Sequence, residues 1–247
     1  MSFWIFIKNF SQVFFDAVLP HRCLACGEIV SSGGFVCQNC FDKINFISSA
    51  CCQICGTPFD YTEDANLTCP RCLQHKPEFD AAKAVFLYDG VGRDLIRAFK
   101  YSDRTEACNY FAKLMVNAGR KFFAEEEFKP DYIVPVPIHY KRLLARKYNQ
   151  SALLARAIAL NTGQKVCYDA LIRTRNTKPQ ANFFQKERFK NVKGVFNVNK
   201  LEIVKDKKIL LIDDVLTTGA TVSECAKAMK EQGASKVYVL ALARTKI

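Results

Sequence analysis

The sequence predicts an α/β fold with a mostly parallel sheet, preceded by a small cysteine-rich module. Three observations carry that prediction. Beyond residue 80, apolar strand-like runs alternate with helical patterns, the order that builds parallel sheets. One such run, Ile209 to Ile212, is continuously apolar, as a strand buried on both faces must be, and it ends in two adjacent carboxylates. Before residue 73 the chain carries four C-x-x-C pairs in order, a pattern suited to tetrahedral metal.

At 247 residues and 49% hydrophobic, the chain can bury a sizeable core and still carry a smaller module. No run approaches the ~20 apolar residues of a membrane-spanning helix. Residues 1–20 are predicted as an amphipathic helix, with Trp4, Ile7, Phe10, Phe14, Phe15 and Val18 at helical spacing. Such a face docks on protein or associates peripherally with a membrane surface. Lys8, Asn9 and Asp16 interrupt the segment and no small-residue cleavage site follows it, so a signal peptide is not expected.

Residues 21–78 are predicted as a double zinc ribbon. Cys23-x2-Cys26 and Cys37-x2-Cys40 are ten residues apart, and Cys52-x2-Cys55 and Cys69-x2-Cys72 are thirteen apart. Each pair forms a tight knuckle, and two knuckles close one tetrahedral site with no position open to substrate, so two structural zinc ions are expected. Crossed pairing of the knuckles stays open at this point, as does Cys51 in place of Cys52. Cys108, Cys167 and Cys225 read as buried small hydrophobes. His21 and His75 flank the ribbons as bystanders. Clustered thiols of this kind suit metal in a reducing cytosol rather than disulfides, so a cytoplasmic location is expected.

Residues 79–247 form the second predicted unit. Strands are expected at 84–88 and 131–136, helices at 92–101, 105–123 and 149–161, and short strands near Val166 and Leu171. A helix at 185–191, a strand at 194–198 and a βαβ unit over 208–243 complete it. Gly90-Val91-Gly92 follows a strand, but Leu95 stands where a dinucleotide fingerprint needs its third glycine.

The acids of the long apolar strand, Asp213 and Asp214, fall at its carboxyl end, where open α/β sheets place their ligands. The following turn is Thr217-Thr218-Gly219-Ala220-Thr221 and leads into a helix. Gly219 permits close backbone approach, and successive N–H groups with the positive helix end suit a phosphate monoester. Val134-Pro135-Val136-Pro137 ends another strand in a rigid turn followed by Lys141, Arg142, Arg146 and Lys147. His139 in that turn is a lone candidate base. Lys100 lies before the crossover and reads either as a ligand for an anion held by that loop or as a helix-end cation complementing the dipole. Residues 173–191 read as a basic hood carrying Arg173, Arg175, Lys178, Gln180, Lys186, Arg188 and Lys190, of the kind that closes over a polyanion.

The net charge of +12 is concentrated. From Lys141 to Lys193 there are thirteen Lys or Arg against Asp169 and Glu187. Tyr140, Tyr148, Phe183, Phe184, Phe189 and Phe196 are interleaved with them, a combination that fits single-stranded nucleic acid.

The run Asp-Asp-Val-Leu-Thr-Thr-Gly-Ala-Thr resembles the phosphoribosyl pyrophosphate (PRPP) loop of type I phosphoribosyltransferases. The resemblance implies that Asp213 and Asp214 hold the ribose hydroxyls, that residues 217–221 hold the 5′-phosphate, and that Mg²⁺ accompanies PRPP. It also implies a pyrophosphate role for the loop after Val-Pro-Val-Pro. Together with the four C-x-x-C pairs, Phe99-Lys100-Tyr101, Tyr148-Asn149-Gln150, Lys178-Pro179-Gln180, Glu187-Arg188-x-x-Asn191-Val192 and the final Leu242-Ala243-Arg244, the chain is similar throughout to the ComF competence family. That resemblance implies a cytoplasmic protein of natural transformation that handles incoming single-stranded DNA, with other competence or DNA-processing proteins as partners. A departure is Lys147, where the family usually has glycine. An active transferase acting on an unidentified base or amine is the alternative, because no residue names the acceptor.

Overall fold

The computed structural model describes residues 20–31, 33–48, 50–59, 67–101, 105–177 and 185–246, with backbone only for 185–188. The helix expected over 1–20 therefore lies outside the described residues except for Pro20, as do Lys178, Gln180, Phe183 and Phe184. In chain order the elements are α1 (Gln38–Phe41), α2 (Pro70–Gln74), β1 (Ala81–Leu87), α3 (Gly90–Tyr101), a 3₁₀ turn (Thr105–Ala107), α4 (Cys108–Ala118), α5 (Lys121–Ala124) and β2 (Tyr132–Pro135). There follow α6 (Tyr140–Arg146), α7 (Gln150–Thr162), β3 (Leu171–Arg173), α8 (Gln185–Val192), β4 (Phe196–Val198), α9 (Leu201–Val204), β5 (Lys208–Leu216), α10 (Ala220–Glu231) and β6 (Lys236–Arg244).

Four strands form one parallel sheet in the order β1-β6-β5-β2. β6 is buried at every residue after its first, the behaviour of an interior parallel strand covered on both faces. Successive residues of β5 alternate between two cores. Ile209 and Leu211 pack with Val222, Cys225 and Met229 of α10, while Leu210 and Ile212 pack with Phe99, Phe111, Leu154 and Ile158 from α3, α4 and α7. The sheet is thus the middle of three layers, and its period-two pleat sorts the side chains between them.

The cysteine-rich segment straddles the β1 edge of the sheet. Leu24 and Ile44 of the first ribbon join the core on the α3/α4 face, whereas Cys52, Cys55, Cys69 and Cys72 of the second join the core on the α10 face. Between them the chain runs antiparallel to β1: the Leu87 N–H donates to the Asn45 carbonyl at 2.8 Å, and the Ile47 N–H to the Val85 carbonyl at 2.9 Å. These bonds cover an edge that would otherwise expose unpaired backbone groups. On the same strand the Ala82 N–H donates to the Ile54 carbonyl at 2.7 Å. Gly56 has φ +71°, and a Cβ there would come within 2.6 Å of the Ala82 carbonyl oxygen, so the second ribbon seats closely only because that residue is glycine.

Several expected boundaries moved. β1 begins three residues earlier than the apolar run suggested, because pairing with Tyr238, Val239 and Leu240 draws Ala81, Ala82 and Lys83 into the ladder. The helix expected over 105–123 is a 3₁₀ turn and two helices, with Gly119 capping α4; a Cβ at Gly119 would sit 3.0 Å from the Leu240 side chain. Val166 makes a single parallel bridge to Ile133 rather than a strand. Leu171 leaves the main sheet, and β3 pairs antiparallel with β4 in a separate ribbon, with Ile172 opposite Asn197. That ribbon carries the two ends of the basic segment.

Candidate functional site

The carboxyl ends of β2 and β5 are tied together by a short polar run before and within α7. Asn149 caps α7, its Oδ1 accepting from the Ser151 N–H at 3.0 Å, while its amide donates to the Val136 carbonyl at 3.1 Å. Gln150 is buried and its amide donates to the Lys100 carbonyl at 3.4 Å. The Tyr148 hydroxyl donates to the Phe99 carbonyl at the same distance. The end of α3 is thereby held to the start of α7 and the end of β2.

That placement sets Lys100 against the acids of β5. Lys100 Nζ lies 2.9 Å from Asp214 Oδ2. Burial opposes the ammonium charge, but Asp214 and Asp213 outweigh it and raise the Lys100 pKa. The sequence placed Lys100 near a leaving anion; its partner here is the second acid. Asp213 accepts from the Ser151 hydroxyl at 3.2 Å and from the Asp214 N–H at 2.9 Å. Its carboxyl is walled in by protein although the residue keeps partial exposure. Burial and the neighbouring Asp214 charge push its pKa up to about 7. Two adjacent acids thus share a site with one cation.

The turn after β5 places Gly219 at φ 77°, ψ 1°, as the residue preceding α10. The Thr218 hydroxyl accepts from the Ala220 N–H at 3.3 Å, and the Ser223 N–H donates to the Gly219 carbonyl at 2.8 Å. The left-handed glycine leads directly into the first turn of a 12-residue helix, whose end carries partial positive charge. Thr217 and Thr221 flank this turn on either side.

Across the crevice, His139 caps α6, with its Nδ1 accepting from the Lys141 N–H at 3.3 Å. Burial and the charges of Arg173, Lys141 and Arg142 lower its pKa. The expected base is therefore a helix cap with one ring nitrogen committed. Arg142 donates to the Thr177 carbonyl at 2.6 Å, and Arg173 donates to the Thr177 hydroxyl. Arg173 also feels the Asp213 carboxylate, and Arg146 is near enough to oppose the charge of Lys100. Lys100 and Arg173 therefore bear on the acids, with Arg146 near Lys100 and Arg142 near Arg146 and Arg173. Lys141 is exposed. Arg175 turns away, donating to the Lys193 carbonyl at 3.0 Å within its own ribbon. Gln180 and the side chains of Lys186 and Arg188 lie outside the described residues.

The cysteines form two groups, Cys23/Cys26/Cys37/Cys40 and Cys52/Cys55/Cys69/Cys72, with all ligand atoms of each within 4.8 Å of one another. Pairing is sequential, not crossed. Cys51 stands outside, its sulfur accepting from Lys83 Nζ at 3.1 Å. Sulfur separations of 3.7 Å for Cys26–Cys37 and for Cys55–Cys69 match the edge, about 3.8 Å, of a tetrahedron with 2.3 Å metal–sulfur bonds. His21 and His75 belong to neither group, and Cys108, Cys167 and Cys225 are buried in the core clusters.

Two arginines connect the second group to the sheet, and neither was singled out as a site residue from the sequence. Buried Arg244, at the end of β6, donates to the Cys55 carbonyl and lies 3.7 Å from the Cys55 sulfur. Arg71, between ligands Cys69 and Cys72, donates to the Thr218 carbonyl at 2.7 Å. Arg244 belongs to the terminal Leu-Ala-Arg motif, so a signal for it existed. Ser151 directly follows Asn-Gln. Nothing in the sequence marks Arg71 beyond its place in the knuckle.

Comparison with known proteins gives two matched families, the double zinc ribbon domain over residues 14–73 and the phosphoribosyl transferase domain over residues 152–246. The chain is 30% identical over 233 residues to the DNA utilization protein YhgH of Escherichia coli (strain K12), covering 92% of this chain and 98% of that protein. It is 29% identical over 227 residues to Competence protein F of Haemophilus influenzae, covering 90% and 96%. Among solved structures, a purine phosphoribosyltransferase from Pyrococcus horikoshii matches 60% of this chain and 79% of its own at 19% identity, with a TM-score of 0.33. The glutamine PRPP amidotransferase of B. subtilis matches 59% and 27% at 20% identity, with a TM-score of 0.36.

Proposed function

The chain belongs to the ComF/YhgH competence family, with an N-terminal double zinc ribbon and a C-terminal phosphoribosyltransferase-like α/β domain, and from that premise we propose that it binds PRPP and handles single-stranded DNA in the cytoplasm. The observation that carries the PRPP reading is the geometry at the end of β5. Asp213 and Asp214 are partly buried and are followed by a left-handed glycine turn, with Lys100 of α3 paired to Asp214 and Arg173 of β3 near Asp213. In this reading Asp213 and Asp214 take the ribose hydroxyls, and the N–H groups of the turn take the 5′-phosphate. Arg142, Arg146 and Arg173 neutralise the pyrophosphate. Lys100 gives up part of its pairing with Asp214 as ligand enters. Mg²⁺ would accompany PRPP and spread the diphosphate charge. The two cysteine groups hold one zinc each as structural ions, since four thiolates per site leave no open position.

The DNA reading rests on the relatives named for DNA utilization and competence, and on the excess of cations between Lys141 and Lys193. Calorimetry with Mg²⁺-PRPP and anisotropy with a labelled oligonucleotide on one preparation test both halves. PRPP binding that survives Asp213→Asn and Asp214→Asn alike would remove the ribose role.

One observation favours a second reading, an active transferase. The Asp213 carboxyl has its pKa pushed up to about 7 by burial and the Asp214 charge, the range in which a general base works. It would take a proton from an acceptor amine as the acceptor lone pair closes on C1′ and the C1′–oxygen bond breaks to release pyrophosphate. Turnover of PRPP with any base or amine would establish it.

A further inference from the structure

A cavity of about 820 Å³ lies behind the phosphate turn, between the second ribbon and the helices α8 and α10. It falls within the ~300–1,000 Å³ of small-ligand sites. Asp213, Asp214 and Lys100 do not line it; Thr218, Gly219 and Ala220 of the turn after β5 do. Its apolar floor is Phe79 and Leu216, and Phe189 stands at its rim with 43% of its surface exposed. The Arg71 guanidinium lies 6.0 Å from the centre of the Phe189 ring. Lys190, Lys193 and Lys227 line the same cavity.

Three carboxylates face these cations, one of them Glu231, 3.8 Å from Lys227 Nζ. Glu224 is committed, accepting from the Gly194 N–H at 2.6 Å, and Glu78 is exposed. The cavity remains positive, with an exposed aromatic face, a guanidinium beside it and ammonium groups spaced along α8 and α10. A planar base on Phe189 with flanking phosphates on the lysines satisfies that arrangement; an acidic peptide would satisfy the charge and leave the ring face unused.

We propose that this cavity, rather than the sugar crevice, seats a nucleotide unit of single-stranded nucleic acid. The proposal rests on the reading that the protein handles single-stranded DNA and adds the place where the strand is held. Arg71 touches both sites, since its guanidinium holds the Thr218 carbonyl on one side and borders Phe189 on the other.

The test uses the full zinc-loaded chain and a labelled oligothymidylate, with anisotropy read across a salt series. Phe189→Ala should weaken binding about tenfold, as expected for loss of one stacked base. Lys190→Ala with Lys227→Ala should lower the log–log salt slope by about 1.4, or ~0.7 per lost phosphate contact. Phe189→Leu keeps apolar volume without the ring face and should weaken binding similarly, so the result does not depend on α8 tolerating alanine. Far-UV circular dichroism and zinc content, both unchanged in each variant, show that the domain is folded. Unchanged oligonucleotide affinity and slope in these variants, with binding lost instead in Lys141→Ala/Arg142→Ala, would overturn the site while leaving the DNA reading intact. Absence of oligonucleotide binding by the unmodified chain would overturn both. Thymidine monophosphate displacing the oligonucleotide at equal nucleotide concentration would overturn the strand assignment in favour of a free nucleotide.

Discussion

Arg71, held between two metal ligands of the second ribbon, donates through Nη2 to the carbonyl of Thr218, 147 residues later, at 2.7 Å. A cysteine knuckle thus reaches the turn that precedes α10. The carbonyl it holds belongs to the peptide that joins Thr218 to Gly219, so this bond orients the Gly219 N–H, one of the donors proposed to take the 5′-phosphate. Charge-assisted bonds of this kind are worth about 1.5–3 kcal/mol.

Arg71→Ala should therefore weaken Mg²⁺-PRPP binding about five- to tenfold while metal content stays at two per chain. Calorimetry and metal analysis on one preparation separate the two effects. Unchanged affinity would mean that the turn is held without the ribbon.

The acid pair makes a pH prediction. The Asp213 pKa is raised to about 7, so the folded protein keeps a proton that the unfolded chain loses near pH 4. Between those values the native state binds more protons, and this carboxyl costs stability as pH rises through that window. Asp213→Asn should raise Tm at pH 8 and leave it nearly unchanged at pH 4. In the parent chain, Mg²⁺-PRPP affinity should climb between pH 6 and 8 as the carboxylate forms. A flat affinity profile would remove Asp213 from the ligand set.

Lys147 supplies a third test. It ends α6 at φ 67°, one of two non-glycine residues with positive φ among those described. The resemblance flagged this position because the family usually has glycine there, and the backbone supplies the reason. Left-handed geometry costs a residue with a Cβ about 1–2 kcal/mol. Lys147→Gly should stabilise the protein by about 1 kcal/mol in urea denaturation, less what glycine returns in unfolded-chain entropy. A loss of stability would show that the Lys147 side chain outweighs its backbone strain.

The parts of the fold legible in the sequence are those whose signal is local. The apolar run 209–212, its two acids and the glycine turn sit within one strand–turn–helix unit, and the paired cysteines carry their spacing with them. What sequence reading missed joins distant segments. Arg71 meets Thr218 across 147 residues, and Arg244 meets Cys55 across 189. The pairing of Lys100 on α3 with Asp214 on β5 spans 114 residues and leaves no local pattern. The apolar pair Leu171-Ile172 suits a sheet strand and a two-stranded ribbon alike; the outer edge of β2 is met by Val166 instead, and β3 pairs with β4.

The two metal groups should differ in lability. All four sulfur ligands of the second ribbon are on buried residues within the α10-side core, beside the buried guanidinium of Arg244. In the first ribbon Cys26 is exposed and Cys37 half-buried. A chelator reaches a metal through exposed ligands, so with a colorimetric chelator zinc should leave in two phases of equal amplitude, the first ribbon faster. Cys26→Ser should abolish the fast phase and leave PRPP binding near that of the parent. Cys72→Ser should cost PRPP binding as well as metal, because removing that ion frees Arg71 and Arg244 together from the knuckles that orient them. A single release phase in the parent, or PRPP affinity untouched by Cys72→Ser, would show that the second ribbon does not support the phosphate turn.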